Sequence, residues 1–176
     1  MAEPAVPSGE VAVMVAVQSA LADRPGVLAA ARGMSHFGEH SVGWLIVELL
    51  GALLKERRRG EWLVAAAGTF AAHAAAVLIK RVVRRKRPHD PAVTVNVGTP
   101  SQLSFPSAHA TSTTAAAILM GRAAGLPRGI SAAVLVPPMA LSRILLGVHY
   151  PSDVAFGVAL GAAVARLALW LDRKSR

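Results

Sequence analysis

Residues 62–79 read WLVAAAGTFAAHAAAVLI and run directly into Lys80-Arg81-Val82-Val83-Arg84-Arg85-Lys86-Arg87-Pro88. Only Thr69 and His73 interrupt the apolar run. A helix needs about 20 mostly apolar residues to cross the hydrocarbon core of a bilayer, so the stretch predicts a spanning helix. Working outward, residues 42–54 form a shorter apolar stretch that carries Glu48. Residues 107–121 begin polar and become apolar, 129–147 contain Pro137 and Pro138, and 154–171 carry Arg166 near their end. Paired prolines kink a span, and neighbouring helices must then satisfy the freed carbonyls. Arg166 can snorkel to the interface. We expect an all-α polytopic membrane helix bundle with about five transmembrane helices.

The N-terminal region is less regular. An apolar stretch at 11–17 meets the turn signal Ala22-Asp23-Arg24-Pro25-Gly26, and 27–31 lead on to Met34 and Phe37. A spanning helix there would hold Asp-Arg-Pro-Gly at its middle, so interfacial helices fit better. Residues 1–9 are expected to form a mobile tail and residues 10–176 a single domain. The opening MAEPAVPSGE has acidic residues and prolines where a secretory signal needs positive charge.

Composition agrees with this architecture. The chain is 53% hydrophobic but only 5% aromatic, so its apolar mass is Ala, Val and Leu, which lets helices approach closely in lipid. A net charge of +9 could suggest nucleic acid, but the basic residues sit in short clusters between apolar runs. That is a membrane protein's charge distribution, and no nucleic-acid partner is expected. The absence of cysteine excludes disulfides and thiolate metal sites.

Lys55, Arg57, Arg58 and Arg59 lie between the first two spans. Arg122 and Arg128 lie between the third and fourth, and Arg173, Lys174 and Arg176 follow the fifth. All three clusters fall on one side, which the positive-inside rule makes cytoplasmic, C-terminus included. The block Lys80–Arg87 faces the other side against the rule, which calls for a reason such as an anionic ligand.

Three pieces of sequence reach that outward side. Lys80, Arg84 and Arg87 are spaced i, i+4, i+7, one face of a helix that Pro88 then ends. A snorkelling end-cap would look similar. Phe105-Pro106-Ser107-Ala108-His109 opens an apolar span, where unpaired N–H groups and a hydroxyl can cradle phosphate, though a plain N-cap is the simpler reading. Ser142-Arg143 is followed by His149 and, four residues on, Asp153. A carboxylate on one imidazole nitrogen fixes the tautomer and frees the other as a nucleophile. Alone, Asp153 could be a helix N-terminal carboxylate favoured by the dipole. Together the pieces supply several cations, N–H donors, two histidines and a carboxylate at membrane depth, where charge is costly and marks function.

This pattern, Lys80-x6-Arg87-Pro88, Pro106-Ser107-Ala108-His109 and Ser142-Arg143-x5-His149-x3-Asp153, resembles the type 2 phosphatidic acid phosphatase superfamily, which includes lipid phosphatases, soluble acid phosphatases and vanadium haloperoxidases. The resemblance implies the helical core shared by those phosphatases and haloperoxidases, within the membrane. It departs from the family pattern at Ala108, where glycine is usual. It implies that His149 attacks phosphorus to form a phosphohistidine and that Asp153 orients it. His109 would protonate the leaving oxygen and then activate water. Lys80, Arg87, Ser107, Ala108 and Arg143 would hold the phosphate oxygens. No metal or other cofactor is needed, because three cations take the part that magnesium plays elsewhere.

The implied substrate is a lipid-linked phosphate at the outer face of the cell membrane. Residues 32–40, with 87–91 and 107–111, resemble a mycobacterial branch of the family that dephosphorylates a lipid-linked pentose phosphate for cell-wall synthesis. Members acting on undecaprenyl diphosphate or phosphatidylglycerophosphate would share every catalytic residue. A non-catalytic scaffold or transporter subunit would require the motif to be accidental. His36, Glu39, His40 and His89 are candidates for a substrate rim. Glu48 and His73, inside spans, read as polar contacts between helices.

Overall fold

The computed structural model describes residues 7–175. Seven helices follow in chain order among the described residues: α1 Gly9–Leu21, α2 Val27–Gly38, α3 Val42–Leu54, α4 Arg59–Val83, α5 Ala108–Ala123, α6 Ile130–Leu145 and α7 Pro151–Lys174. Of the expected tail, residues 1–6 lie outside the described residues, and Gly9 already opens α1.

Among the described residues three stretches are long and apolar enough to cross a membrane: Val27–Leu54, Glu56–Val83 and Pro151–Lys174. The helices α5 and α6 have 16 residues each, about 24 Å of axis. α5 is the central helix. It packs against α4, α6 and α7, and Ala115, Ala116 and Ala117 are fully buried. Its hydroxyls are satisfied locally or by neighbours: Thr111 and Thr114 donate to carbonyls one turn back, and the Trp44 indole donates to Thr113 at 3.0 Å. The outer faces carry Leu53, Leu54, Phe70, Leu78 and Val82 to the surroundings, as lipid contact requires.

In the N-terminal region α1 and α2 flank the expected turn at residues 22–26. α2, read as interfacial, belongs to the apolar stretch Val27–Leu54 and leads into α3 through a 3-10 turn. That turn breaks the helix because His40 and Ser41 adopt left-handed φ values of 50° and 64°. The reading of Glu48 as a helix–helix contact matches the structure: the buried Thr69 hydroxyl on α4 donates to its carboxylate at 2.6 Å.

Close approach of α5 and α7 depends on Gly157 and Gly161. A Cβ at Gly161 would meet the Thr111 carbonyl oxygen at 2.2 Å, and one at Gly157 the Ser107 carbonyl oxygen at 2.7 Å. Small residues four apart let two backbones touch. They also fix the start of α5 against the start of α7.

The helix directions sort the charges. Arg58 donates to the carbonyls of Arg122 and Ala123, and Arg122 pairs with Asp172 at 3.0 Å, so the three basic clusters do gather at one end. The opposite end collects the C-termini of α4 and α6, the N-termini of α5 and α7, and the loop between α4 and α5.

Candidate active site

The chain reaches the site by leaving helix sooner than its spacing predicts. α4 stops at Val83, and Arg84 turns left-handed at φ 55°. Lys80, Arg84 and Arg87 therefore do not share a helix face, and Arg84 is exposed. The segment runs extended from Arg85, with Lys86 bridging to Leu103. Alternate residues of an extended chain point the same way. Arg85 and Arg87 accordingly turn inward while Arg84 and Lys86 face out. The Ser104 hydroxyl secures this hairpin by donating to the Lys86 carbonyl at 3.0 Å.

Lys80, Arg87, Ala108, His109, Arg143 and His149 line one cavity of about 730 Å³. The Lys80 ammonium donates to the Leu103 carbonyl at 2.9 Å. Arg87 donates to the carbonyls of Ser101 at 2.8 Å and Val148 at 2.6 Å. Arg143 is almost wholly buried, and its Nη2 has no partner within the protein. A buried guanidinium nitrogen left unpaired is costly, and an anion is the ligand that relieves it. Ser107 caps α5, its hydroxyl accepting the Ala110 N–H, and its own N–H donates to the Asp153 carbonyl at 3.0 Å.

His149 sits between the cations and the carboxylate. Arg87 Nη1 lies 3.2 Å from its Nε2. A guanidinium has no acceptor, so Nε2 must accept and the proton belongs on Nδ1. Nδ1 lies 3.6 Å from Asp153 Oδ2, close enough for charge–charge contact but long for a hydrogen bond. Asp153 caps α7 by accepting the Tyr150 N–H at 2.9 Å. Burial, then Arg87, Lys80 and Arg143, push the His149 pKa well below the ordinary imidazole value, so the ring is neutral. Burial lowers Arg87 to about 10, against the pull of Asp153, which leaves it cationic at neutral pH.

His109 is oriented from the other side. Its Nε2 lies 2.9 Å from the Ser35 carbonyl on α2, so Nε2 carries a proton and Nδ1 is the nitrogen left to exchange one. Gly38 makes this approach possible, since a Cβ there would lie 2.9 Å from the His109 ring.

Sequence reasoning missed Arg85. It donates to Asp153 Oδ1 at 2.9 Å, to the Ser152 hydroxyl at 2.7 Å and to Glu10 of α1 at 2.7 Å, with its guanidinium 4.1 Å from the Tyr150 ring centroid. Glu10 also accepts the Ser152 N–H at 2.7 Å. Gln18 binds α1 further, donating to the carbonyls of Thr94 at 2.6 Å and Leu145 at 3.0 Å. Polar side chains near both ends of an apolar helix, Glu10 and Gln18, signal docking, but nothing local in the sequence joins Glu10 to Arg85.

His36, Glu39 and His40 line the outer part of the same cavity, whereas His89 is exposed and is not part of its wall. His73, read as a helix contact, also lines it. Phe70 and Leu78 form part of the wall and are themselves largely exposed, so the cavity meets the apolar outer face of α4.

The model of the PAP2 superfamily matches residues 61–176. The chain is 76% identical over 167 residues to the decaprenylphosphoryl-5-phosphoribose phosphatase of Mycobacterium tuberculosis, covering 95% of this chain and 92% of that one. It is 64% identical over 151 residues to the protein of the same name from Mycolicibacterium smegmatis, covering 86% and 82%. The transmembrane PAP2-type phosphatidylglycerolphosphate phosphatase of Bacillus subtilis superposes with a TM-score of 0.73 at 22% identity, over 93% of this chain and 86% of that one. Aquifex aeolicus LpxE gives 0.66 at 19%, over 89% and 92%. These two structural likenesses speak for the fold alone.

Proposed function

The chain belongs to the PAP2 superfamily, and from that premise we propose that it is an integral-membrane phosphatase that removes the 5-phosphate from decaprenylphosphoryl-5-phosphoribose. The observation that carries the reading is the buried cationic pocket around His149, whose Nε2 faces the cations while Nδ1 faces Asp153. The names of the relatives support the lipid-linked ribose phosphate as substrate. A vanadium haloperoxidase reading loses support, because the described residues include stretches long and apolar enough to cross a membrane. Undecaprenyl diphosphate and phosphatidylglycerophosphate remain competing substrates for the assay.

The mechanism follows from the geometry. The phosphate enters among Lys80, Arg87 and Arg143, with Ser107 and the amides at the start of α5 completing the cradle. Once Arg87 turns its Nη1 from Nε2 to a phosphate oxygen, the freed His149 Nε2 lone pair attacks phosphorus in line with the ribose oxygen. The P–N bond forms as the P–O bond breaks, and Asp153 balances the positive charge growing on the ring. His109 Nδ1 takes up the proton of the incoming phosphate monoanion and gives it to the departing oxygen. With Nδ1 now basic, it takes a proton from water, which attacks the phosphohistidine and returns His149 and free phosphate. The cations stabilise charge on the non-bridging oxygens throughout.

Phosphate release from decaprenylphosphoryl-5-phosphoribose by the purified protein in detergent is the test. We expect turnover by the wild type and a loss on the order of 10⁴-fold or more for His149→Ala. A His149→Ala protein as fast as wild type would overturn the phosphohistidine route. Faster turnover of polyprenyl diphosphates than of the phosphoribose lipid would overturn the substrate.

A further inference from the structure

The wall that α4 gives to the cavity has an order. From the phosphate end it presents Lys80 and Arg81, then apolar Val77 and Ala74, then His73, and finally Phe70 at the lipid side. Lys80 and His73 are seven residues apart, about 10 Å along the helix axis. Across the cavity His40 faces His73, with ring centroids 6.1 Å apart. His73 Nδ1 is buried and has no partner within the protein.

His40 is held there at a cost. It and Ser41 are consecutive non-glycine residues with left-handed φ, a conformation that L side chains rarely adopt. The strained turn brings the His40 ring to the cavity and keeps α2 against His109. Such strain clusters where a fold positions groups for a ligand. Neither imidazole belongs to the chemistry described above.

We propose that His40 and His73 form a second subsite that binds the phosphodiester joining the sugar ring to the lipid. This rests on the phosphatase reading and deepens it. With the scissile phosphate among Lys80, Arg87 and Arg143, a pentose ring lies against Val77 and Ala74. The second phosphate then reaches the imidazole pair, and the chain leaves past Phe70. Two phosphates flanking a five-membered ring span a distance comparable with that wall. The adjacent phosphates of a polyprenyl diphosphate do not: both stay in the inner pocket and leave the imidazoles unused. The subsite thus selects a phosphomonoester whose sugar carries a second, distant phosphate.

Two measurements test this. The first compares kcat/KM for a short-chain prenylphosphoryl-5-phosphoribose with that for the prenyl monophosphate of equal length. For His73→Ala and His40→Asn, the ratio of the two values falls at least tenfold, mainly through KM for the phosphoribose lipid. Asparagine suits position 40 because it tolerates left-handed φ. Equal losses on both lipids, or no change in the ratio, would overturn the subsite.

The second measurement needs no turnover. In the His149→Ala background, ribose 1,5-bisphosphate should bind at least tenfold tighter than ribose 5-phosphate, and adding His73→Ala should abolish the difference. Equal affinities for the two sugars before that change would likewise overturn it. A wild type inactive on the phosphoribose lipid, with the bisphosphate preference intact, would sink the phosphatase reading and leave the subsite standing.

Discussion

Arg85 lies between two carboxylates from distant parts of the chain, Glu10 on α1 and Asp153 on α7. Asp153 is fully buried, so Arg85 offsets part of the charge facing His149 and limits where that carboxylate can move. Hydrogen bonds to charged groups contribute about 1.5–3 kcal/mol, equivalent to roughly 10–100-fold in rate. Arg85 is 31% exposed, so the lower half of that range applies. Arg85→Gln should lower kcat about tenfold with little change in KM, and Arg85→Lys should restore part of it. An equal rise in KM would show that Arg85 holds substrate and does not act through Asp153. His149 yields a prediction of its own. Its pKa is depressed by burial and three cations, so the neutral nucleophile persists as pH falls through the ordinary imidazole range and is lost only below it. The acid limb of kcat/KM should therefore lie below pH 6.5 once the substrate's own ionisation, near pH 6, is divided out. A limb at or above 6.5 would contradict the neutral resting state.

The contact of α5 with α7 sets the distance between Ser107 and Asp153, and glycine makes it possible. Gly161→Ala would drive a methyl into the Thr111 carbonyl, which is backbone and cannot swing aside. Overpacking of this kind costs about 1–3 kcal/mol. Gly60, in the first turn of α4, has nothing within 4 Å of its missing Cβ. Gly60→Ala should be neutral or stabilise by about 0.5–1 kcal/mol. Thermal unfolding in detergent should place Gly161→Ala below wild type and Gly60→Ala at or above it. If both shift alike, helix propensity outweighs packing at these sites. The apolar runs that became α3, α4 and α7 were readable because hydrophobicity persists along a span. The end of α4 was not. The i, i+4, i+7 spacing fits a helix through Arg87, and the period changes from 3.6 to 2 at Arg84 because pairing with Leu103, Ser104 and Gln102 lies far along the chain. The same long-range pairing hid Arg85, and α1's role was hidden with it. His149 and Asp153 were legible because four residues separate them, a spacing that local geometry alone brings together.

Charge is divided between the ends of the molecule, and each end has its own reason for it. At one end Arg58 and Arg122 tie the loops together, beside Lys55, Arg57 and Arg59. At the other, Lys80, Arg85, Arg87 and Arg143 are engaged inward by carbonyls, carboxylates and the cavity, and only Arg81, Arg84 and Lys86 are left exposed. The positive-inside bias counts loop cations near the ends of spans. We propose that the first end sets the orientation and that the cations of the other end serve the phosphate pocket proposed above. The positive-inside bias therefore predicts the cavity on the extracytoplasmic side and the C-terminus in the cytoplasm. A fluorescent protein that matures only in the cytoplasm should then glow when fused after Arg176, and a periplasmic phosphatase reporter at that position should stay inactive. Replacing Lys55, Arg57, Arg58 and Arg59 by glutamine removes four of the cations that anchor this end. If loop charge sets topology, a measurable share of molecules should invert, with reporter activity appearing in proportion. Unchanged topology in that variant would mean that the hydrophobic spans, and not the basic loops, decide which way the site faces.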